Sequence, residues 1–175
     1  DIKTYLYDSK STSIGEGVIL KTCGELIDEG RNFDEITHAI PEIKKSMHFV
    51  FVFGTLEYAM KGGRIGRLSE LIGDFLGIKP IVGFDDTYGQ CFAYRKVRGR
   101  KHSLNALAEI GKKISEKKLC DAYIVHGNSE EDASKVSEMI SKLPNIRNVY
   151  VIGQISAIVG VYSGPGTVGV CYKEC

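Results

Sequence analysis

Hydrophobic residues recur along this chain at two spacings, one typical of strands and one typical of helices. Short apolar runs predict buried strands at residues 4–7, 48–53, 122–125, 149–152 and 167–172. Apolar residues three and four positions apart predict helices at residues 15–29, 33–43, 103–117 and 130–143. Because strands and helices alternate, the pattern indicates an α/β protein with a mixed, partly parallel sheet and helices packed on it.

Cap and turn signals refine these boundaries. Asn32 and Glu35 predict a capping box at the start of the second helix, which Pro41 is expected to kink or divide. Residues 78–84 and 91–97 flank a polar turn and predict a hairpin. These two segments are therefore expected to form an antiparallel pair.

A further apolar stripe predicts a short helix at residues 68–76, ended by Gly77. Its hydrophobic side chains are those of Leu68, Leu71, Ile72, Phe75 and Leu76. The simplest interpretation of such a stripe is packing into the core.

The stretch from Leu56 to Gly66 combines a glycine pair with a single guanidinium. Gly62 and Gly63 end a short predicted helix, because glycine supplies the positive φ common at helix C-termini. Arg64 follows and can bind a carboxylate or phosphate through two parallel hydrogen bonds. By spacing alone, the stretch favours a simple turn in which Arg64 caps the preceding carbonyl groups.

Composition narrows the class of protein without identifying it. The 175 residues are 43% hydrophobic and 26% charged, which is ordinary for a globular domain with a sizeable core. The formal net charge of +1 gives no global attraction to nucleic acid or to anionic membranes. No apolar run is long enough to be an integral membrane segment, and the first residues lack the regions of a signal peptide, so we expect a cytoplasmic protein.

Cysteine and histidine spacing predicts no metal site. The five cysteines are scattered, without the close pairs of a zinc or redox motif, and are expected to be free thiols. The four histidines lie on separate predicted elements. His126 follows a predicted strand, a position where sites are often built, although a hydrogen-bonded structural histidine is the simpler interpretation.

One domain boundary is plausible, near Gly54 and Thr55. Residues 1–54 hold too few elements for an independent core, whereas residues 55–175 alternate strands and helices on their own. We predict that residues 1–54 need a partner surface and that residues 55–175 form the main domain.

Six short motifs, in this order and at this spacing, resemble the DegV family of bacterial fatty-acid-binding proteins. The motifs are Tyr7-Asp8-Ser9-Lys10, Thr55-Leu56-Glu57-Tyr58, Lys61-Gly62-Gly63-Arg64-Ile65, Ile78-Lys79-Pro80-Ile81, Lys96-Val97-Arg98-Gly99-Arg100-Lys101 and Gly164-Pro165-Gly166. The resemblance implies a truncated form of a two-domain α/β architecture that holds an acyl chain between its domains. Residues 1–54 would be the end of the N-terminal domain, and residues 55–175 the C-terminal domain.

The chain departs from the family pattern in two places. The resemblance implies an upstream part, whose Thr-Ser-Gln-Pro-Ser and Ser-Gly-Thr motifs hold the lipid carboxylate in the family, and the given sequence starts after it. Where the family usually reads Gly-Ala-His-Thr-Gly-Pro-Gly, this chain has Tyr162 and Ser163 in place of the histidine and threonine. A phenol can donate a hydrogen bond to a carboxylate but cannot change charge near neutral pH as imidazole does.

The resemblance implies a long-chain fatty acid as the bound ligand and no other cofactor. The implied carboxylate donors are Arg64, Tyr162, Ser163 and backbone groups around Gly164. The implied acyl pocket consists of Ile65, Leu68, Leu71, Ile72, Phe75 and Ile158. The resemblance also implies a non-catalytic carrier that presents the fatty acid to a separate ATP-dependent fatty acid kinase.

A basic cluster at residues 95–102 supplies the most concentrated positive charge. Its cationic side chains are Arg95, Lys96, Arg98, Arg100 and Lys101, followed by His102. The cluster is interpreted either as a solvated strand end or as a docking surface for an acidic partner such as the kinase. Few aromatic residues alternate with these charges, so base stacking is poorly supported and no nucleic acid partner is expected.

Two alternative functions remain open from the sequence. A nucleic-acid-binding or regulatory domain would use the basic cluster and would bind DNA or RNA with steep salt dependence. An acyl- or phosphoryl-transfer enzyme would use a site near Arg64, His126 and Ser163, although no nucleophile and base stand at a recognisable catalytic spacing.

Overall fold

The computed structural model describes residues 2–66, 68 and 77–175. In chain order the helices are α1 Ile14–Asp28, α2 Phe33–Lys45, α3 Glu57–Lys61, α4 Arg100–Ser115, α5 Glu130–Ser141 and α6 Ala157–Ser163. The strands are β1 Met47–Val52, β2 Ile78–Phe84, β3 Cys91–Arg98, β4 Cys120–Gly127, β5 Ile146–Gln154 and β6 Thr167–Glu174. This order of elements confirms the predicted α/β class.

The strands form one mixed sheet in the order β3-β2-β1-β6-β4-β5. Strands β4 and β5 are parallel and are joined by the crossover helix α5, whereas the other neighbouring pairs are antiparallel. The prediction of a partly parallel sheet is therefore confirmed. Strand β1 pairs with both β2 and β6, so both parts of the predicted division at residue 54 contribute to this sheet, and the division itself stays a prediction.

Helices cover both faces of the sheet. On one face, α4 and α5 pack on a core that includes Val52, Leu107, Ile124 and Tyr172. On the other face, α1 and α2 cover β1, β4 and β6, and residues next to them form a phenylalanine-rich cluster with α3. The second face holds the candidate site described below.

One predicted element at the start of the chain differs from the structure. Residues 4–7 are not a strand, and Leu6 is 98% exposed. A strand requires a neighbour for its backbone groups, and no described strand lies beside this segment. Helix α2 begins at the predicted capping box of Asn32 and Glu35 and continues past Pro41 without being divided.

The hairpin of β2 and β3 confirms the prediction at residues 78–97. The Asp85 carboxylate holds its turn by accepting hydrogen bonds from the backbone N–H groups of Thr87 at 3.1 Å, Tyr88 at 2.6 Å and Gln90 at 3.1 Å. The predicted helix at residues 68–76 lies outside the described residues except for Leu68, which is fully buried.

Candidate functional site

Helix α3 ends in a left-handed turn that positions Arg64. The N–H of Gly63 donates to the carbonyl of Met60 at 3.0 Å, and the N–H of Arg64 donates to that of Ala59 at 2.8 Å. This pairing is the Schellman motif, and Gly63 supplies the required positive φ of 66°. The predicted role of the glycine pair as a helix end is confirmed by this geometry.

The Arg64 side chain is exposed and stacks on Tyr162. Its guanidinium carbon lies 4.4 Å from the centroid of the tyrosine ring, and Nη1 donates to the carbonyl of Gly62 at 3.0 Å. A guanidinium has five N–H donors, so most of them are left for another acceptor. The stacking therefore fixes the direction of the cation while leaving it able to bind an anion.

Helices α3 and α6 approach closely because glycines near their ends face tyrosines of the opposite helix. A Cβ atom at Gly62 would lie 2.3 Å from Cδ1 of Tyr162, and one at Gly164 would lie 2.3 Å from Cδ2 of Tyr58. Gly164 also has a φ of +71°, which side chains rarely tolerate. The two contacts hold Arg64 and the end of α6 beside each other.

Ser163, the last residue of α6, carries a buried hydroxyl that has no hydrogen-bond partner among the described residues. The residue is 6% exposed, and its carbonyl already accepts a hydrogen bond from the Thr167 hydroxyl at 2.8 Å. Burying an unpaired hydroxyl costs about 1–3 kcal/mol. Such a cost is understandable where a ligand supplies the missing partner.

Phenylalanine side chains form the floor beneath these groups. Phe49, Phe51 and Phe53 alternate along the chain from β1 and project from the same face of the sheet. The ring centroid of Phe51 lies 5.1 Å from that of Phe53 and 5.5 Å from that of Phe84 on β2. The floor is apolar and lies directly across from α6.

Between the floor and the two helices lies a cavity of about 340 Å³. Its apolar lining includes Phe51, Phe53, Phe84, Ile158 and Val159, and its polar lining includes Arg64, Tyr162 and Ser163. This volume falls within the range of about 300–1,000 Å³ common for small-molecule sites. An apolar space with a few convergent donors is suited to an amphipathic anion.

The sequence-predicted residues are distributed unequally around this cavity. Ile158 lines it, although the residue is 78% exposed. Ile65 and Leu68 pack against the phenylalanine cluster and are not among the described lining residues. Leu71, Ile72 and Phe75 lie outside the described residues.

The backbone N–H of Gly164, one of the expected carboxylate donors, is already hydrogen-bonded within the protein. Its N–H already donates to the carbonyl of Gly160 at 2.8 Å. The next glycine, Gly166, donates to the carbonyl of Gly127 at 2.7 Å. The backbone donors expected around Gly164 are therefore engaged in holding the turn.

The sequence pattern does not identify the phenylalanine floor as part of the cavity. Phe51, Phe53, Phe84 and Val159 line the cavity, yet none of them was among the predicted site residues. The available signal was the phenylalanine at every second position from residue 49 to 53, which marks one face of a strand. That signal shows a shared face but not whether the face is covered or left open.

Cys91 and His126 show no catalytic arrangement with this cavity. Burial raises the pKa of the Cys91 thiol to about 11, so it lines the cavity as a neutral group at pH 7. His126 accepts a hydrogen bond from the N–H of Ser129 at 3.3 Å through Nδ1. Its neighbour Val125 faces the void beside Ser163, so strand alternation directs His126 to the opposite face.

The basic cluster is partly neutralised. Arg100 is half-buried and forms an ion pair of 2.7 Å with Asp132 on α5, and Arg95 pairs with Glu109. Lys96, Arg98 and Lys101 are exposed and have no ion-pair partner in the described part of the chain. The positive charge of the cluster that is not neutralised by an ion pair therefore comes from these three residues.

In the described ranges, no helix has the length and apolar composition that crossing a bilayer requires. Nor do three or more histidine, cysteine or acidic side chains in these ranges come together where they could hold a metal ion.

Comparisons with known proteins match this fold and sequence. A family model described as "Uncharacterised protein, DegV family" matches residues 1–174. A DegV domain-containing protein of Clostridium acetobutylicum is 49% identical over 173 residues, which cover 99% of this chain and 61% of that protein. The chain thus spans about three fifths of the length of this curated relative.

Solved structures share the architecture. A fatty acid binding DegV family protein from Streptococcus agalactiae superposes with a TM-score of 0.84 at 27% identity, covering 98% of this chain and 60% of that one. A DegV family protein from Ruminococcus gnavus, whose structure contains vaccenic acid, gives a TM-score of 0.80 at 26% identity, covering 95% and 59%. Since the sequence match extends over nearly every residue and the architecture agrees, this chain belongs to the DegV family.

Proposed function

We propose that this chain binds a long-chain fatty acid in the cavity between the phenylalanine floor and helices α3 and α6. The observation that carries the proposal is the buried Ser163 hydroxyl, which borders an apolar cavity and has no partner among the described residues. The fatty acid binding of the Streptococcus agalactiae protein, a structural neighbour, supports the same ligand class.

The carboxylate would lie between Arg64 and Ser163. A carboxylate only accepts hydrogen bonds, and both side chains can donate to it. Each hydrogen bond that involves the charged head group would contribute about 1.5–3 kcal/mol. Tyr162 holds the guanidinium in place by stacking and can add its own hydroxyl, whereas Gly164 is left out of the donor set because its N–H is engaged.

The acyl chain would lie on the phenylalanine floor. Each methylene removed from water contributes about 0.8 kcal/mol, so several methylenes together outweigh the head group. Affinity is therefore expected to follow the length of the chain that fits the cavity, and orientation is expected to follow Arg64.

A carrier role fits the position of the head-group donors better than catalysis does. Arg64 is exposed at the edge of the cavity, where a second protein can reach the carboxylate. We propose that the partner is an ATP-dependent fatty acid kinase and that Lys96, Arg98 and Lys101 contribute to its docking through charge complementarity. This role would place the protein in the cytoplasm, where ATP is available.

The proposal is tested by measuring fatty acid binding to the delipidated chain. Native mass spectrometry before and after denaturation identifies any ligand carried through purification, and displacement of a fluorescent fatty acid gives the affinity for palmitate. Arg64→Gln is expected to weaken palmitate binding roughly ten- to a hundredfold. Arg98→Gln is the matched control, since it removes an exposed guanidinium away from the cavity and is expected to leave palmitate affinity unchanged.

A protein that carries no lipid and takes up none of myristate, palmitate, stearate or oleate would refute the proposal. For the partner, the triple variant Lys96→Gln, Arg98→Gln, Lys101→Gln is assayed with purified fatty acid kinase. Acyl phosphate formation is expected to fall while palmitate affinity stays unchanged. Equal acyl phosphate formation by the variant would exclude these residues from docking.

A further inference from the structure

Strand β1 pairs with β2 over a shorter length than with β6, and the two strands separate next to the proposed fatty acid cavity. Pairing of β1 with β6 extends from Met47 to Val52, whereas within the described strands its pairing with β2 is limited to Phe51 with Val82 and Val52 with Ile81. The end of β2 and the following turn therefore diverge from the first half of β1.

This divergence leaves a second cavity, a cleft of about 500 Å³ between the two strands. Its lining is mixed. The apolar residues include Phe49, Val50, Phe84, Ile110 and Phe92, and the polar residues include Lys44, His48 and Glu174 as well as the exposed Lys113 and Lys117. The cleft is thus large enough for additional methylene groups, which would pack against its apolar residues.

Phe84 separates the cleft from the proposed fatty acid cavity. Its side chain lines both of them and also borders a small apolar void of about 40 Å³ beside Phe49 and Ser163. The Phe84 ring centroid lies 5.5 Å from that of Phe51 and 5.9 Å from that of Phe49. These contacts make the ring part of the wall between the spaces.

The position of Phe84 is fixed by the turn that follows it. Asp85 binds three backbone N–H groups of this turn, and Lys44 of α2 forms an ion pair of 2.9 Å with Asp86. On the other side, Gly89 approaches the backbone of Lys10, since a Cβ atom there would lie 3.3 Å from the Lys10 Cα. A wall anchored on both sides is suited to limit the length of a ligand.

We propose that Phe84 sets the longest acyl chain that the site accepts, and that the cleft between β1 and β2 is the space beyond it. This inference rests on the proposed binding of a fatty acid in the neighbouring cavity. A chain that reaches the Phe84 ring must stop or bend there, whereas removal of the ring would let the chain continue between the strands.

The test is the affinity profile of the full chain for myristate, palmitate, stearate and arachidate. For Phe84→Ala, each additional methylene that becomes buried is expected to improve affinity about fourfold, so the preference shifts to longer acids. Phe84→Leu keeps an apolar side chain of intermediate size and is expected to shift the preference less. This second variant also keeps the test decisive if the alanine variant folds poorly by circular dichroism.

Phe92→Ala is the matched control, because it deletes the same side chain from the cleft without removing the wall. An unchanged profile for both Phe84 variants, or an equal shift for Phe92→Ala, would overturn the assignment to Phe84 while leaving fatty acid binding intact. Failure of the unmutated chain to bind any of the four acids would instead refute the proposed function, so the two failures are distinguishable.

Discussion

Replacing Ser163 by alanine is expected to stabilise the ligand-free protein and to weaken fatty acid binding. The hydroxyl is buried, and in the described part of the chain it has no partner. Removing an unpaired buried hydroxyl relieves a penalty of about 1–3 kcal/mol. For a chain of this size, the melting temperature is then expected to rise by roughly 2–12 °C.

The same substitution removes one proposed donor to the carboxylate. The expected loss of about 1.5–3 kcal/mol corresponds to a palmitate affinity roughly ten to a hundred times weaker. Thermal unfolding followed by circular dichroism and displacement of a fluorescent fatty acid measure the two effects separately. A rise in stability together with a fall in palmitate affinity would indicate that the hydroxyl binds a ligand rather than stabilising the fold.

Ser103→Ala is the matched control for this experiment. Ser103 is fully buried, but its hydroxyl donates to the carbonyl of Arg100 at 2.7 Å. Losing that hydrogen bond is expected to destabilise the protein by about 1 kcal/mol and to leave palmitate binding unchanged. If Ser163→Ala lowers the melting temperature as Ser103→Ala does, the hydroxyl contributes to folding and the reasoning about a ligand partner is refuted.

Three further predictions concern the supporting structure. Gly62→Ala and Gly164→Ala are each expected to destabilise the protein by about 1–3 kcal/mol in chemical unfolding, because a Cβ atom would meet a tyrosine ring at 2.3 Å. The control is Gly24→Ala in α1, where a Cβ atom meets nothing, and it is expected to stabilise the protein by about 0.5–1 kcal/mol. Equal effects of the three substitutions would contradict the packing argument. Burial tends to raise the pKa of Asp121, but the hydrogen bonds from Arg147 and Asn148 outweigh burial and lower this pKa. The stability that the ionised carboxylate contributes is therefore present above about pH 4 and is lost as the pH falls through the lowered pKa. Arg147→Leu is therefore expected to destabilise the protein at pH 7, by less than the loss of a fully buried pair would because the guanidinium is half-exposed, and to move acid unfolding to higher pH; an unchanged acid midpoint would rule this out. His126→Ala is expected to reduce stability by about 1–2 kcal/mol without altering palmitate affinity, since Nδ1 accepts a hydrogen bond from the Ser129 N–H. A loss of palmitate binding without a loss of stability would instead show that His126 takes part in binding.

Local signals were sufficient for much of the fold. The capping box at Asn32, the hairpin at residues 78–97 and the left-handed end of α3 are all confirmed, because each depends on residues adjacent in the chain. The apolar segment at residues 4–7 was predicted wrongly, since its strand-like composition has no described neighbour to pair with.

Helix α6 was not predicted because its sequence does not favour a helix. Val159 and Val161 are β-branched and Gly160 is a poor helix former, a composition more typical of a strand. Contact with α3 through the glycine and tyrosine pairs stabilises the helix in spite of this composition. Such tertiary contacts join residues about a hundred positions apart, and periodicity within one segment carries no information about them.

The glycines explain why Arg64 and Ser163 share one cavity. A Cβ atom at Gly54 would lie 2.2 Å from the carbonyl oxygen of Pro165, so the chain entering α3 touches the turn that follows α6. Each of these glycines looks like a simple turn residue in the sequence, yet in the folded chain it allows two backbone segments to meet. This close approach brings together the two side chains that we propose as carboxylate donors, so a substitution that separates the segments should weaken fatty acid binding even though it touches neither Arg64 nor Ser163.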